Sequence, residues 1–193
     1  MNDPTDEVVV ALRAGEVVVL PTDTVYGVAV RADAPGAAGR LADLKGRAAG
    51  QPVAVLVASI EQAGSVGVLS GWARSLAERW WPGPLTLVLP RRPDIRWDLG
   101  APEDTVGVRL PDHDLVRAVA AEVGPLATTS ANRHGEPTPE TAEGAAAALA
   151  RHPVLVVDHG PCTGLASTVV DATGSAPVVL REGPITTAQV TGH

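Results

Sequence analysis

Apolar positions in this chain fall into short runs separated by polar, Gly- and Pro-marked breaks, and the spacing within each run separates helix from strand. Val8, Val9 and Leu12 share one helical face in residues 5–15, and Gly15 suits the helix stop. Residues 16–20 form a continuous apolar run ending at Pro21, the pattern of a buried strand. Residues 36–46 predict a second helix with Leu41 and Leu44 inward, and 52–57 another buried strand. Helices are predicted over 61–66 and 72–81, the latter stopped by Pro82-Gly83-Pro84. Strands over 85–89 and 105–110 flank a polar loop with Arg91, Arg92, Asp94 and Asp98. Residues 112–123 are amphipathic, with Leu115, Val119 and Val123 inward, Asp112 suited to cap the start and Gly124 the end. A short strand over 126–128, an Ala-rich helix over 141–150 and strands over 154–157, 168–171 and 178–180 complete the pattern. No repeat, low-complexity segment or linker interrupts it. The prediction is one α/β domain spanning residues 1–193, with a mixed, twisted sheet and helices on its faces.

Composition narrows this picture. The chain has 193 residues, 45% of them hydrophobic, with no Phe and a single Tyr, so Val, Leu and Ala must build the core. No stretch reaches the roughly 18–20 apolar residues that span a bilayer. The acidic N-terminus Met1-Asn2-Asp3-Pro4-Thr5-Asp6-Glu7 lacks the layout of a secretory signal. Cys162 is alone, so neither an internal disulfide nor a Cys-based metal site is expected. A cytoplasmic location is the expectation. The net charge of −7 argues against a protein that lives on a phosphate backbone, though a local basic cleft is compatible with it. Arginines outnumber lysines 14 to 1, which singles out Lys45.

The usual nucleotide loops, G-x-x-x-x-G-K-[ST] and G-x-G-x-x-G, are absent, as is H-E-x-x-H. His113, His134, His152, His159 and His193 are scattered and read as surface residues. Polar clusters stand instead where strands end, the place where α/β sheets collect ligands. Pro21-Thr22-Asp23-Thr24-Val25-Tyr26-Gly27 offers hydroxyls, a carboxylate and the single tyrosine, or is simply a turn bonding its own backbone. Lys45-Gly46-Arg47 could cap a helix C-terminus or hold phosphates. Thr128-Thr129-Ser130-Ala131-Asn132 could bind a polar substrate or lead into the next helix, with Thr138 beyond. Ser167-Thr168-Val169-Val170-Asp171 and Arg181-Glu182-Gly183 form the fourth cluster. Arg109, like Arg181, ends an apolar strand and needs a partner, ligand or carboxylate, because burying it unpaired is costly. These residues alone imply a polar, partly cationic cleft for a small anionic ligand.

Taken in order, these clusters together with Trp81-Pro82-Gly83-Pro84-Leu85-Thr86 and Val106-Gly107-Val108-Arg109-Leu110-Pro111 resemble the YrdC-like family of threonylcarbamoyl-AMP synthases, in its short, single-domain form. The resemblance runs from about residue 7 to 184. It departs from the family pattern at Ala48, where Pro is usual, and at Gln51, where His, Asn or Lys is usual. The resemblance implies a twisted α/β sheet around a large concave cavity lined with positive charge. It places Lys45, Arg47, Thr105, Ser130, Thr138 and Arg181 on an ATP side, with Lys45, Arg47 and Arg181 as catalytic candidates. Thr24, Arg109, Thr128 and Ser167 fall on an L-threonine side, and Tyr26 and Asn132 shape the walls.

The implied reaction joins L-threonine, bicarbonate or CO2, and ATP into threonylcarbamoyl-AMP, releasing pyrophosphate and supplying a tRNA threonylcarbamoyl transferase complex. Preorganised cations and hydroxyl donors suit the charge that builds on the phosphate. Mg2+ is expected to accompany ATP, held mostly by phosphates and water. Two other functions are compatible with the fold. An RNA-binding module is opposed by the acidic balance and the scarcity of aromatics. A carbamoyl-adenylating enzyme using carbamoyl phosphate is opposed by the short chain.

Overall fold

The computed structural model describes residues 4–48, 50–69, 71–149, 154–162 and 164–192. In chain order the elements are α1 (Pro4–Arg13), β1 (Val18–Leu20), β2 (Gly27–Arg31), α2 (Ala37–Lys45), β3 (Ala54–Leu56), α3 (Ile60–Val66), α4 (Gly71–Trp80) and β4 (Leu85–Pro90). They continue with β5 (Thr105–Arg109), α5 (Asp114–Val123), β6 (Leu126–Ser130), α6 (Ala142–Ala148), β7 (Leu155–Val156), β8 (Thr168–Asp171), β9 (Val178–Arg181) and α7 (Thr187–Thr191). The nine strands form one mixed sheet in the order β7-β1-β2-β6-β3-β5-β4-β8-β9. The expected α/β class with a mixed sheet and flanking helices is therefore observed.

The two faces of the sheet are finished differently. Leu85, Leu87 and Leu89 of β4, Val106 and Val108 of β5, Val55 of β3 and Val170 of β8 point into the larger core. There they meet Leu41 of α2, Val66 of α3, Leu76 of α4 and Ala145 of α6. On the opposite face a second core joins Val8 and Leu12 of α1 and Val116 and Val119 of α5 to Leu20, Ala29, Leu56 and Leu126. Those two helices reach only the β1, β2, β6 and β3 part of that face. Period-2 alternation places Thr86 and Val88 of β4, and Gly107 and Arg109 of β5, on the remaining part. This uncovered area is where the cavity lies.

Several expectations need correction. Asp112 does not cap α5; the N-cap is His113, without a side-chain cap, and the Asp112 carboxylate accepts from Arg117 Nη1 at 3.0 Å. The strand predicted over 126–128 extends to Ser130, because Thr129 and Ser130 pair with Val28 and Gly27 of β2. Strand β2 itself was not foreseen: Gly27–Arg31 follows the polar cluster without a break, and its alternation is hidden because four of its five residues are buried. The short helix α7, with a Thr186/Gln189 capping box, was also not foreseen. Of the helix predicted over 141–150, residue 150 lies outside the described residues, and Thr141 is its N-cap, accepting from Gly144 N. The histidine reading holds for His134 and His159, which are exposed, whereas His152 and His193 lie outside the described residues. His113 is half-buried, with its Nδ1 enclosed and without a hydrogen-bond partner.

Candidate active site

A cavity of about 610 Å³ opens on the uncovered sheet face. It takes in Thr22, Thr24, Ser130, Ser167 and Arg181 of the strand-end clusters, as expected, and also extends over the strands themselves at Ala54, Val88 and Gly107. Helices α1 and α5 stop short of β4, β5 and β8, so the face itself stays open there. Adjacent strands carry the lining in register. Thr128, Ala54, Gly107, Val88 and Asp171 form one row across β6, β3, β5, β4 and β8. The neighbouring row holds Leu56 with Arg109, and Thr86 with Val169 and Arg181.

Arg109, 5% exposed, is held on three sides. Its Nη2 pairs with Asp23 Oδ1 at 2.5 Å, Nη1 donates to Thr24 Oγ1 at 2.7 Å, and Nε donates to the Gly83 carbonyl at 3.1 Å. The last contact gives the Trp81-Pro82-Gly83-Pro84 turn a role, since it delivers that carbonyl. A Cβ at Gly83 would lie 2.5 Å from the Trp80 carbonyl, so the turn requires glycine. Burial pushes the Arg109 pKa down and Asp23 opposes the shift. The sequence left open whether Arg109 needs a ligand or an acid; in this structure its ionic partner is Asp23. Thr22 braces the same loop, its hydroxyl donating to the Val25 carbonyl and accepting from Val25 N.

Ser167 joins the two halves of the cavity. Its Oγ lies 2.8 Å from Thr86 Oγ1, and its carbonyl accepts from Arg181 Nη2 at 2.8 Å and Nε at 3.1 Å. Burial, then Arg109, lowers the Arg181 pKa. Gly183 packs so closely on the Ala166 carbonyl and Thr168 N that no Cβ fits, which explains glycine after Arg181-Glu182. Arg47 contributes a third guanidinium; its Nε is buried without a hydrogen-bond partner, and burial lowers its pKa.

Lys45 stands just behind this surface. It ends α2, where Gly46 takes the left-handed conformation at φ 62° as the C-cap. Its Nζ donates to the Ser130 carbonyl at 2.5 Å, to Ser130 Oγ at 3.1 Å and to Asn132 Oδ1 at 2.7 Å. Burial, helped by Arg47, pushes the ammonium down to about 8. Tyr26 is fully buried, and its hydroxyl donates to the Gly160 carbonyl at 2.7 Å.

Of the residues proposed for the ATP side, Arg47, Thr105, Ser130 and Arg181 line the cavity. Lys45 reaches it through Ser130, and Thr138, half-buried in the loop before α6, is not among the lining residues. All four residues proposed for the threonine side, Thr24, Arg109, Thr128 and Ser167, line it. Thr22, Thr86, Asp171 and Thr173 line it as well and were not singled out as site residues. Alternation with the buried Leu85, Leu87 and Val170 is the sequence signal that could have found Thr86 and Asp171.

The Sua5–YciO–YrdC family model, described as telomere recombination, matches residues 10–183. A Mycobacterium tuberculosis relative, provisionally named threonylcarbamoyl-AMP synthase, is 44% identical over 93% of this chain and 84% of its own length. The Bacillus subtilis threonylcarbamoyl-AMP synthase is 40% identical over 98% of this chain, which spans 56% of that protein. The crystal structure of Pyrococcus abyssi Sua5 complexed with L-threonine superposes with a TM-score of 0.87 at 34% identity, covering 96% of this chain and 56% of that one. With the model matched across most of its length, this chain belongs to the Sua5–YciO–YrdC family.

Proposed function

We propose that this protein is an ATP-dependent nucleotidyltransferase that makes L-threonylcarbamoyl-AMP from L-threonine, bicarbonate or CO2, and ATP, for tRNA modification. The observation that carries the reading is the uncovered sheet face, which gathers Arg47, Arg109 and Arg181 among hydroxyls in a chain whose net charge is −7. A cationic, hydroxyl-rich pocket in an acidic protein suits a small polyanion. The buried, unpaired Nε of Arg47 is a donor awaiting an acceptor.

The reaction needs positioning and charge stabilisation more than a protein nucleophile. The threonine amine, after losing a proton, forms an N–C bond to CO2 and gives a carbamate. A carbamate oxygen then bonds to the α-phosphorus as the bond to pyrophosphate breaks. Thr24, Arg109, Thr128 and Ser167 hold threonine in this reading, while Arg47, Thr105, Ser130 and Arg181 hold ATP. Lys45 fixes Ser130 and Asn132 and adds positive charge behind them. Arg109 retains N–H groups beyond those given to Asp23, Thr24 and Gly83, and these can meet a carboxylate. Ser167, which touches both Thr86 and Arg181, lies where the two substrates meet.

Among the described residues no group of three or more His, Cys, Asp or Glu side chains could hold a metal. Mg2+ enters with ATP in this reading, bound by its phosphates and water. Among the described residues no helix is long and apolar enough to cross a membrane.

Pyrophosphate release from ATP and bicarbonate tests the proposal. It is expected to require L-threonine and to stay at background with carbamoyl phosphate in its place. Release with carbamoyl phosphate alone would transfer the fold to the other substrate. Salt-dependent tRNA binding without release would favour the RNA-binding reading.

A further inference from the structure

Asp171 is the only acidic residue among the described residues lining the cavity. It ends β8, half-buried, on the same face as Val169 and two residues beyond it. Its Oδ1 accepts from Thr173 N at 2.9 Å and Thr173 Oγ1 at 2.7 Å, and Thr173 also lines the cavity. The Asx turn fixes the direction of the carboxylate.

The surroundings of Asp171 differ from the rest of the pocket. In its row the neighbours are Val88, Gly107 and Ala54, so the floor beside it is small and apolar. A Cβ on Gly107 would meet only Thr86 Cγ2 at 3.5 Å and Ala54 Cα at 3.9 Å, so the space above that strand is open. Pro52, Val53, Leu99 and Leu180 extend the apolar lining. Arg181 and Arg109 lie in the next row, where Val169 pairs with Arg181 and Leu56 with Arg109. Two residues of strand separate the rows, roughly 7 Å, about the reach from an α-phosphate to the hydroxyls of its ribose. An α-phosphate held at Arg181 would thus leave its nucleoside over Gly107 and Val88. Triphosphate oxygens are repelled by a carboxylate, whereas a ribose diol offers it hydrogens.

We infer that Asp171, braced by Thr173, accepts a hydrogen bond from the ribose diol of the nucleotide and makes the enzyme selective for ribonucleotides. This rests on the ATP reading of the cavity but assigns a specificity-determining residue that the reading does not contain. An acceptor that the bound nucleotide shields from water loses more than the bond itself when its hydroxyl is missing, which gives such sites their discrimination.

Equilibrium binding of ATP, 2′-deoxy-ATP and 3′-deoxy-ATP, measured by calorimetry without threonine, tests the inference independently of turnover. Wild-type protein is expected to bind ATP about tenfold or more tightly than at least one deoxy analogue. Asp171→Ala is expected to bring the ratio close to one. Asp171→Asn keeps an acceptor for Thr173, and with it the turn, and is expected to show a reduced ratio with an unchanged thermal midpoint. Equal binding of the three nucleotides by wild type, or wild-type discrimination in both variants, would overturn the inference. So would an equal loss for all three nucleotides that extra Mg2+ restores, because that places Asp171 at the metal–phosphate end. Selective ATP binding without pyrophosphate release would instead sink the synthase reading and leave this inference standing.

Discussion

The ammonium of Lys45 gives its three N–H bonds to Ser130 and Asn132, and no described acid pairs with it, so its charge is neutralised only by dipoles. This is why burial and Arg47 bring it down to about 8. A bound polyanion favours the protonated amine, so ATP affinity is expected to fall as pH rises through 8. At pH 9 only about a tenth of the amines keep the proton, and apparent affinity drops by up to about tenfold. Lys45→Met is expected to bind weakly and without this pH dependence, as titration calorimetry at pH 7, 8 and 9 would show. A flat wild-type profile would remove Lys45 from the electrostatics of the site. The sequence singled out Lys45 because it is the sole lysine, and Arg109 because a strand-end charge needs a partner. It could not supply the partner, since Asp23 is 86 residues away and the two meet only when the sheet forms.

Strand β4 shows the same division within one element. Leu85, Leu87 and Leu89 are fully buried in the larger core, while Thr86 turns to the cavity and Ser167. Leu87→Ala is expected to lower unfolding free energy by about 2–5 kcal/mol, through lost burial and the cavity left behind. Thr86→Ala, one residue away, removes one hydrogen bond and is expected to cost about 1 kcal/mol. Its larger effect is expected on turnover, because Thr86 faces the cavity and bonds Ser167. Urea unfolding beside steady-state kinetics separates the two; equal destabilisation would contradict the assignment of faces. Most elements were legible because their apolar period is clear, as in α5, although its fully buried residues are Val116 and Val119, and the expected Leu115 and Val123 are only half-buried. Strand β2 was not, because nearly all its residues are buried and nothing alternates. The extent of β6 was hidden for another reason: Thr129 and Ser130 read as loop residues until their pairing with β2 is known.

At the scale of the molecule, one sheet is covered on one side by α2, α3, α4 and α6 and on the other only in part by α1 and α5. That unequal coverage turns ordinary strand alternation into a cavity, and it draws scattered hydroxyls and arginines into one surface. The α/β class was legible from spacing alone. The cavity was not, because which face stays open depends on where helices stop, and that is a property of the assembled sheet. The acidic balance of the chain and its cationic pocket are compatible for the same reason. Arg47, Arg109 and Arg181 are concentrated there, while exposed acids such as Asp112, Asp114 and Glu122 lie on the outside. In the proposed reaction this pocket couples threonine, inorganic carbon and ATP. The most direct test incubates the protein with ATP, L-threonine and isotopically labelled bicarbonate, and identifies the adenylate by mass spectrometry. The expected product is an AMP conjugate that carries both threonine and the labelled carbon. An adenylate without label, or no adenylate while the substrates are bound, would contradict the proposed reaction.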